Sequence, residues 1–168
     1  MKPDLFWIPG PWRGKLAVSA RPRGGDWLDD EVKGWRNAGI DAVVSLLKKD
    51  EATQLQLEHE RNSAESKGLQ FVSFPIPDRG VPASTSDTLR FLADVTAMLK
   101  TGKNVAIHCR QGIGRSGLVA AASLMMSGLG SREAVDVVTR ARGLTVPETP
   151  GQLQWLDRLA TEYMALAS

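Results

Sequence analysis

The chain has 168 residues, 42% of them apolar and 24% charged, and a formal net charge of +2. That is enough chain for one domain with a real core, and a charge so close to balance gives no bulk argument for a nucleic-acid partner. The single cysteine excludes an intramolecular disulfide, and one Cys with two His cannot make a structural zinc site at this spacing.

The opening "MKPDLFWIPGPW" is interrupted by prolines and a glycine where a signal peptide would need an apolar run. No stretch approaches the ~20 apolar residues of a membrane span. A lone thiol suits a reducing compartment, so a cytoplasmic protein without membrane attachment is expected. "KLAVSARP" reads as a short strand. "DWLDDEVKGWRNAG" places Trp27, Leu28, Val32 and Trp35 at helical spacing and stops at Gly39. "IDAVVSLL" is an apolar run of strand length. "DEATQLQLEHERNSAESKG" is polar and helix-prone up to Gly68, with His59 on its surface, and "LQFVSFPI" is a strand ended by Pro75 and Pro77.

After the loop "PDRGVPAS", Ser84 or Ser86 caps a helix whose Leu89, Leu92, Val95 and Leu99 share one face. "NVAIHC" reads as a buried strand and "GLVAAASLMMSG" as a central helix, apolar nearly all round. "SREAVDVVTRARG" follows with Ser131 as N-cap, and a last helix begins near Pro150 with Leu153, Leu156 and Leu159. Strands alternating with helices predict an α/β fold over residues 1–168: a three-layer sandwich with a mostly parallel central sheet and an all-helical C-terminal third.

The chemistry concentrates in "HCRQGIGRSG", His108 to Gly117. Gly112, Gly114 and Gly117 spell G-x-G-x-x-G, but a dinucleotide site needs an acidic residue ending a second strand ~20 positions on. Glu133 and Asp136 lie there inside a helical pattern instead. A Walker loop is excluded because no G-K-[ST] follows. A merely buried cysteine would need neither a glycine-rich turn nor an arginine six residues later. A phosphate monoester accounts for every residue. Backbone N–H groups of Arg110, Gln111, Gly112, Ile113, Gly114 and Arg115 can converge on phosphate oxygens, because the glycines tolerate the required φ. The following helix aims its positive end at the same point. Arg115 can grip two oxygens with its planar fork. The same field lowers the pKa of Cys109 from ~8.5 into the range ~3.5–7.5, which makes it a nucleophile under phosphorus.

His-Cys-x5-Arg-Ser-Gly resembles the signature of the cysteine-dependent protein tyrosine phosphatase superfamily. "FPIPDRGVP" and "VPETPGQLQWL" are similar to segments of its compact dual-specificity-type members, especially those related to phosphatases acting on cyclin-dependent kinases. The resemblance implies a general acid in the loop before the signature, and so Asp78. A turn-forming Asp is the bland alternative, and Asp87 is the reserve, although it reads better as a helix start. Ser116 is expected to donate to the sulfur when it leaves. His108, pointing to the opposite strand face from the nucleophile, is expected to support the loop backbone rather than act as a base.

Gln152 matches a position where relatives hold a glutamine near the hydrolytic water; Gln152 and Thr149 fit a helix start equally well. Gly151 departs from the charged residue usual there. The expected activity is hydrolysis of phosphotyrosine and phosphoserine or phosphothreonine in a protein or peptide, through a phosphocysteine, with no metal and no organic cofactor. The alternatives are a phosphoinositide, an RNA 5′-phosphate, or a phosphate-binding module without turnover.

Overall fold

The computed structural model describes residues 3–167. Five strands, β1 (Phe6–Ile8), β2 (Leu16–Ser19), β3 (Ala42–Ser45), β4 (Gln70–Ser73) and β5 (Val105–His108), form one sheet in the order β1-β2-β5-β3-β4. β1 runs antiparallel on one edge, and the three other pairings are parallel. The helices are α1 (Leu28–Asn37), α2 (Lys49–Gln54), α3 (Glu60–Ser66), α4 (Thr85–Lys100), α5 (Gly114–Met126), α6 (Ser131–Arg142) and α7 (Pro150–Ala167).

Both faces of the sheet are covered, which is why the inner strands read as unbroken apolar runs. Leu16, Val18, Ala42, Val44, Val105 and Ile107 pack on one face with Leu92, Val95, Leu118, Leu124, Val138 and Leu156 from α4 to α7. Val43 and Ala106 point the other way, toward Leu28, Val32 and Trp35 of α1 and Leu57 and Leu69. At ~1.5–3 kcal/mol for each large apolar side chain removed from water, these two clusters are the main favourable contribution to folding. Every residue of α5 from Gly114 to Met125 is buried, as the nearly all-apolar run from Gly117 predicts, and Arg115, Ser116 and Ser123 are buried with it. The fold is the expected α/β sandwich, with helix alone after β5 among the described residues.

Three local expectations change. The edge strand β1 went unread because its proline-flanked, three-residue pattern carries no period. The polar segment after β3 forms two helices rather than one. The break falls where Gln56 adopts φ 58° and its carbonyl accepts from Gly25 N–H at 2.9 Å. A Cβ on Gly24 would lie 2.1 Å from the Leu55 carbonyl oxygen, so a tertiary contact fixes the break. Finally, Gly130 and not Ser131 is the N-cap of α6. The Ser131 hydroxyl donates instead to Asp157 Oδ1 of α7 at 2.6 Å.

Register places the site. Ser19, His108 and Ser45 align across β2, β5 and β3, so the three inner parallel strands end together. Ligands of open parallel sheets bind beyond such carboxyl ends.

Candidate active site

The chain leaves β5 at His108 and turns through residues 109–113 into α5. Gly112 sits at φ 72°, and a Cβ there would come within 2.7 Å of the Ser19 backbone, so the turn needs glycine on two counts. Outside the turn, the Arg142 guanidinium donates from Nε to the Gly112 carbonyl at 2.9 Å and from Nη2 to the Gln111 carbonyl at 3.3 Å. Its own plane lies over the Phe6 ring of β1, 4.0 Å from the centroid.

The tightened loop closes over the sulfur. Cys109 is 3% exposed, and Gly112 N–H donates to Sγ at 3.3 Å. Burial alone would push the thiol up. The hydroxyl and amide of Ser116, the Gly112 amide and the Arg115 charge outweigh burial and bring it below its ordinary value. Ser116 Oγ is buried with no well-formed hydrogen bond, and the sulfur is the group on which it acts.

Arg115 is buried too, which demands a counterion. Glu51 of α2 supplies it, accepting from Nη1 at 2.7 Å and Nη2 at 3.0 Å, while Nη1 also donates to the Ile76 carbonyl at 3.0 Å. Burial would raise the Glu51 carboxyl, but hydrogen bonds from Arg115 and the Lys48 amide and the charges of Arg115 and Arg110 hold it below its usual range. Arg115 is correspondingly raised, burial being outweighed by Glu51, Cys109 and Asp78. Asp78 Oδ1 lies 3.2 Å from Arg115 Nη2.

These groups meet in a pocket of about 460 Å³ lined by Asp78, Arg79, Cys109, Arg110, Gln111, Gly114, Arg115 and Glu148. Its floor is a sulfur biased toward thiolate, its wall a fixed guanidinium, and its rim a carboxylate on an exposed loop. Such a site can hold a small oxyanion and attack it from beneath.

The sequence family described as "Polymorphic toxin system, DSP-PTPase phosphatase" matches residues 18–129, more than half of the chain. The chain belongs to this family of dual-specificity-type phosphatases. Among relatives, Cyclin-dependent kinase inhibitor 3 of Rattus norvegicus is 25% identical over 143 residues, covering 84% of this chain and 67% of that protein. Tyrosine-protein phosphatase 2 of Dictyostelium discoideum is 27% identical over 122 residues, but the chain spans only 32% of its length. The crystal structure of Tk-PTP in its active form is 34% identical with a TM-score of 0.77, covering 96% of this chain and 99% of that one. Kinase associated phosphatase shares the fold with a TM-score of 0.89 over 98% of both chains, at 20% identity.

The phosphatase brings together most of the residues singled out in its sequence. Cys109, Arg110, Gln111, Gly114, Arg115 and Asp78 line the pocket, Gly112 and Ser116 face the sulfur, and Ile113 precedes α5 as its N-cap. Asp87 lies elsewhere, on the first turn of α4 and paired with Arg90. His59 is exposed, as expected. Gln152 is fully buried and does not line the pocket. Its Oε1 accepts from the Glu148 and Thr149 amides at 3.1 and 3.2 Å, and its Nε2 donates to the Gly80 carbonyl at 3.1 Å. Gln152 holds the loop of Asp78 against the start of α7.

Sequence reasoning missed Glu51, Arg79, Arg142 and Glu148. Arg79 has φ 60° and faces Glu148 across the rim at 3.7 Å. The one available signal was for Glu51, since a buried arginine must find a carboxylate.

Proposed function

We propose that this phosphatase removes phosphate from phosphotyrosine and from phosphoserine or phosphothreonine in proteins, through a phosphocysteine. The observation that carries the reading is the convergence of Cys109, Arg115 and Asp78 on one pocket. The Nη1–Nη2 edge of Arg115 is occupied by Glu51, so phosphate takes the Nε–Nη2 edge together with the loop amides.

Cys109 Sγ attacks phosphorus. The P–O bond to the leaving group breaks, and Asp78 gives that oxygen its proton. Water then forms a new P–O bond, the S–P bond breaks, and the Asp78 carboxylate takes the water's proton. The Ser116 hydroxyl donates to the departing sulfur. None of these steps calls for a metal or an organic cofactor. A thiolate nucleophile suits the reducing cytoplasm, where we place the reaction.

The rim favours a protein over a phosphoinositide. Arg79 and Arg110 stand there with Asp78 and Glu148, so the mouth is balanced in charge rather than strongly cationic. A small aryl phosphate tests turnover, and a panel of phosphopeptides, phosphoinositides and 5′-phosphorylated RNA tests substrate class. The reading predicts that phosphopeptides lead the panel. A phosphoinositide or RNA turned over faster than every phosphopeptide overturns it, and no turnover of any ester leaves a binding module.

A further inference from the structure

His108 lies under the nucleophile, on the strand face away from the phosphate pocket, with no exposed surface. Its ring stacks on Trp35 of α1, centroids 5.7 Å apart. Nε2 is 2.6 Å from Glu60 Oε2 and Nδ1 is 3.2 Å from the carbonyl oxygen of Cys109. Glu60, on the first turn of α3, is itself 3% exposed. A carboxylate and a carbonyl both accept, so a ring that satisfies both carries a proton on each nitrogen, which is the imidazolium. A neutral ring would set one lone pair against the other at a side chain with no exposed surface. Burial disfavours the charged ring, but the charge and hydrogen bond of Glu60, the Cys109 carbonyl and the Cys109 thiolate together leave His108 raised.

The second polar helix, unexpected from the sequence, is what delivers this carboxylate. The break at Gln56 redirects the chain so that the first turn of α3 reaches beneath the end of β5.

We infer that Glu60 is a positioning residue for the nucleophile: it keeps His108 an imidazolium, whose Nδ1–H fixes the Cys109 carbonyl and whose charge favours the thiolate. The inference rests on Cys109 being the nucleophile. The role is electrostatic at a distance, since Glu60 touches neither sulfur nor phosphate. The other charged groups set around Cys109 and the pocket are Arg115 from α5, Glu51 from α2, Asp78 and Arg79 from the loop after β4, Arg110, and Glu148 before α7. Around His108 the neighbouring strands present Ser19 and Ser45 in register, and Glu60 shares a surface cleft with Lys49 of α2, Glu58 and Arg61. Exchanging Glu60 alone leaves all of these in place.

The single cysteine makes the test clean, because every alkylated thiol is Cys109. The rate of iodoacetamide alkylation is followed against pH for the wild type, Glu60→Gln and Glu60→Asp, with phosphate inhibition and turnover of an aryl phosphate measured alongside. Glu60→Gln keeps the shape and removes the charge. Its alkylation midpoint moves up by about one unit, so alkylation on the acid side slows about tenfold, while phosphate inhibition holds. Glu60→Asp restores part of the shift.

Thermal stability gives a second readout. A raised His108 stabilises the fold fully below its unfolded value near 6.5, and that contribution is lost as pH rises through the folded value. The stability gap between wild type and Glu60→Gln therefore narrows in alkali. An unchanged alkylation midpoint in Glu60→Gln overturns the inference and leaves the nucleophile standing. So does a gap independent of pH, which marks packing alone. Alkylation that leaves turnover intact removes Cys109 as the nucleophile, and the inference falls with it.

Discussion

Removing Glu51 tests whether the phosphate-binding arginine is held by its own counterion. Arg115 and Glu51 are 1% and 10% exposed at their side chains and share two short hydrogen bonds. Truncation by Glu51→Ala leaves a buried guanidinium without its main partner, a loss that runs ~3–5 kcal/mol for such pairs. The Ile76 carbonyl and Asp78 remain within reach, which sets the expected cost at the lower end, ~3 kcal/mol. For a chain of this size that is about 6–12 °C of Tm. Freed of Glu51, the fork turns toward Asp78 and no longer presents the Nε–Nη2 edge, so kcat/KM on an aryl phosphate falls by about 10²-fold, the usual effect of a small misplacement.

Glu51→Gln keeps an acceptor without the charge and falls between the two. Its pH dependence has a definite sign. The folded Glu51 carboxyl titrates below its ordinary value, so its contribution is complete above an unfolded value of about 4.3 and is lost as pH falls through the lower folded one. The Tm gap between wild type and Glu51→Gln is therefore flat at neutral pH and closes in acid. Differential scanning fluorimetry across pH, with initial rates at neutral pH, measures both. A Glu51→Ala protein within about 2 °C of wild-type Tm and with unaltered kcat/KM refutes the reasoning.

Cys109→Ser binds vanadate through the loop amides and Arg115 but does not turn over, and residual turnover of a few per cent in a clean preparation removes the nucleophile assignment. Asp78→Asn lowers kcat on phenyl phosphate by ~10²–10⁴ and by much less when the leaving group needs no proton; Asp87→Asn showing that pattern instead moves the acid to α4. Gly112→Ala drives a Cβ into the Ser19 backbone and forbids φ 72°, so the inhibition constant for phosphate rises at least tenfold; a normal constant means the loop closes some other way. Peroxide converts Cys109 to sulfenic and then irreversibly to sulfinic acid, with no second cysteine to trap the first stage, and bound phosphate slows the loss. Mass spectrometry finding Cys109 still reduced while activity persists contradicts the thiolate.

The readable part of this fold was the part governed by local period and local chemistry. Val43, Val44, Val105 and Ile107 announce two-sided strands, and Leu118 to Leu124 announce a helix buried all round. The turn from Cys109 to Arg115 was legible because one ligand explains all of it. What stayed hidden depends on contacts distant in sequence. Glu51 and Glu60 sit in a polar stretch that resembles a solvated helix, and only the packing of α2 and α3 against the strand ends makes them buried partners of Arg115 and His108. Arg142 looked like the cationic last turn of a helix, and nothing local tells that its fork holds two carbonyls 30 and 31 residues earlier. Gln152 was visible as a residue of interest, but its direction was not.

That glutamine ties the start of α7 to a carbonyl 72 positions before it. The segment carrying Asp78 has no helix or strand of its own, and its side chain is 54% exposed. Its placement is inherited from a helix that begins at Pro150, through the Gln152 amide and the Arg79–Glu148 pair. The source of the proton is thus held from two sides, by Arg115 of the phosphate cradle and by the start of the last helix. Packing of α7 therefore serves catalysis as well as the core, because it helps to set the proton donor beside the anion receptor.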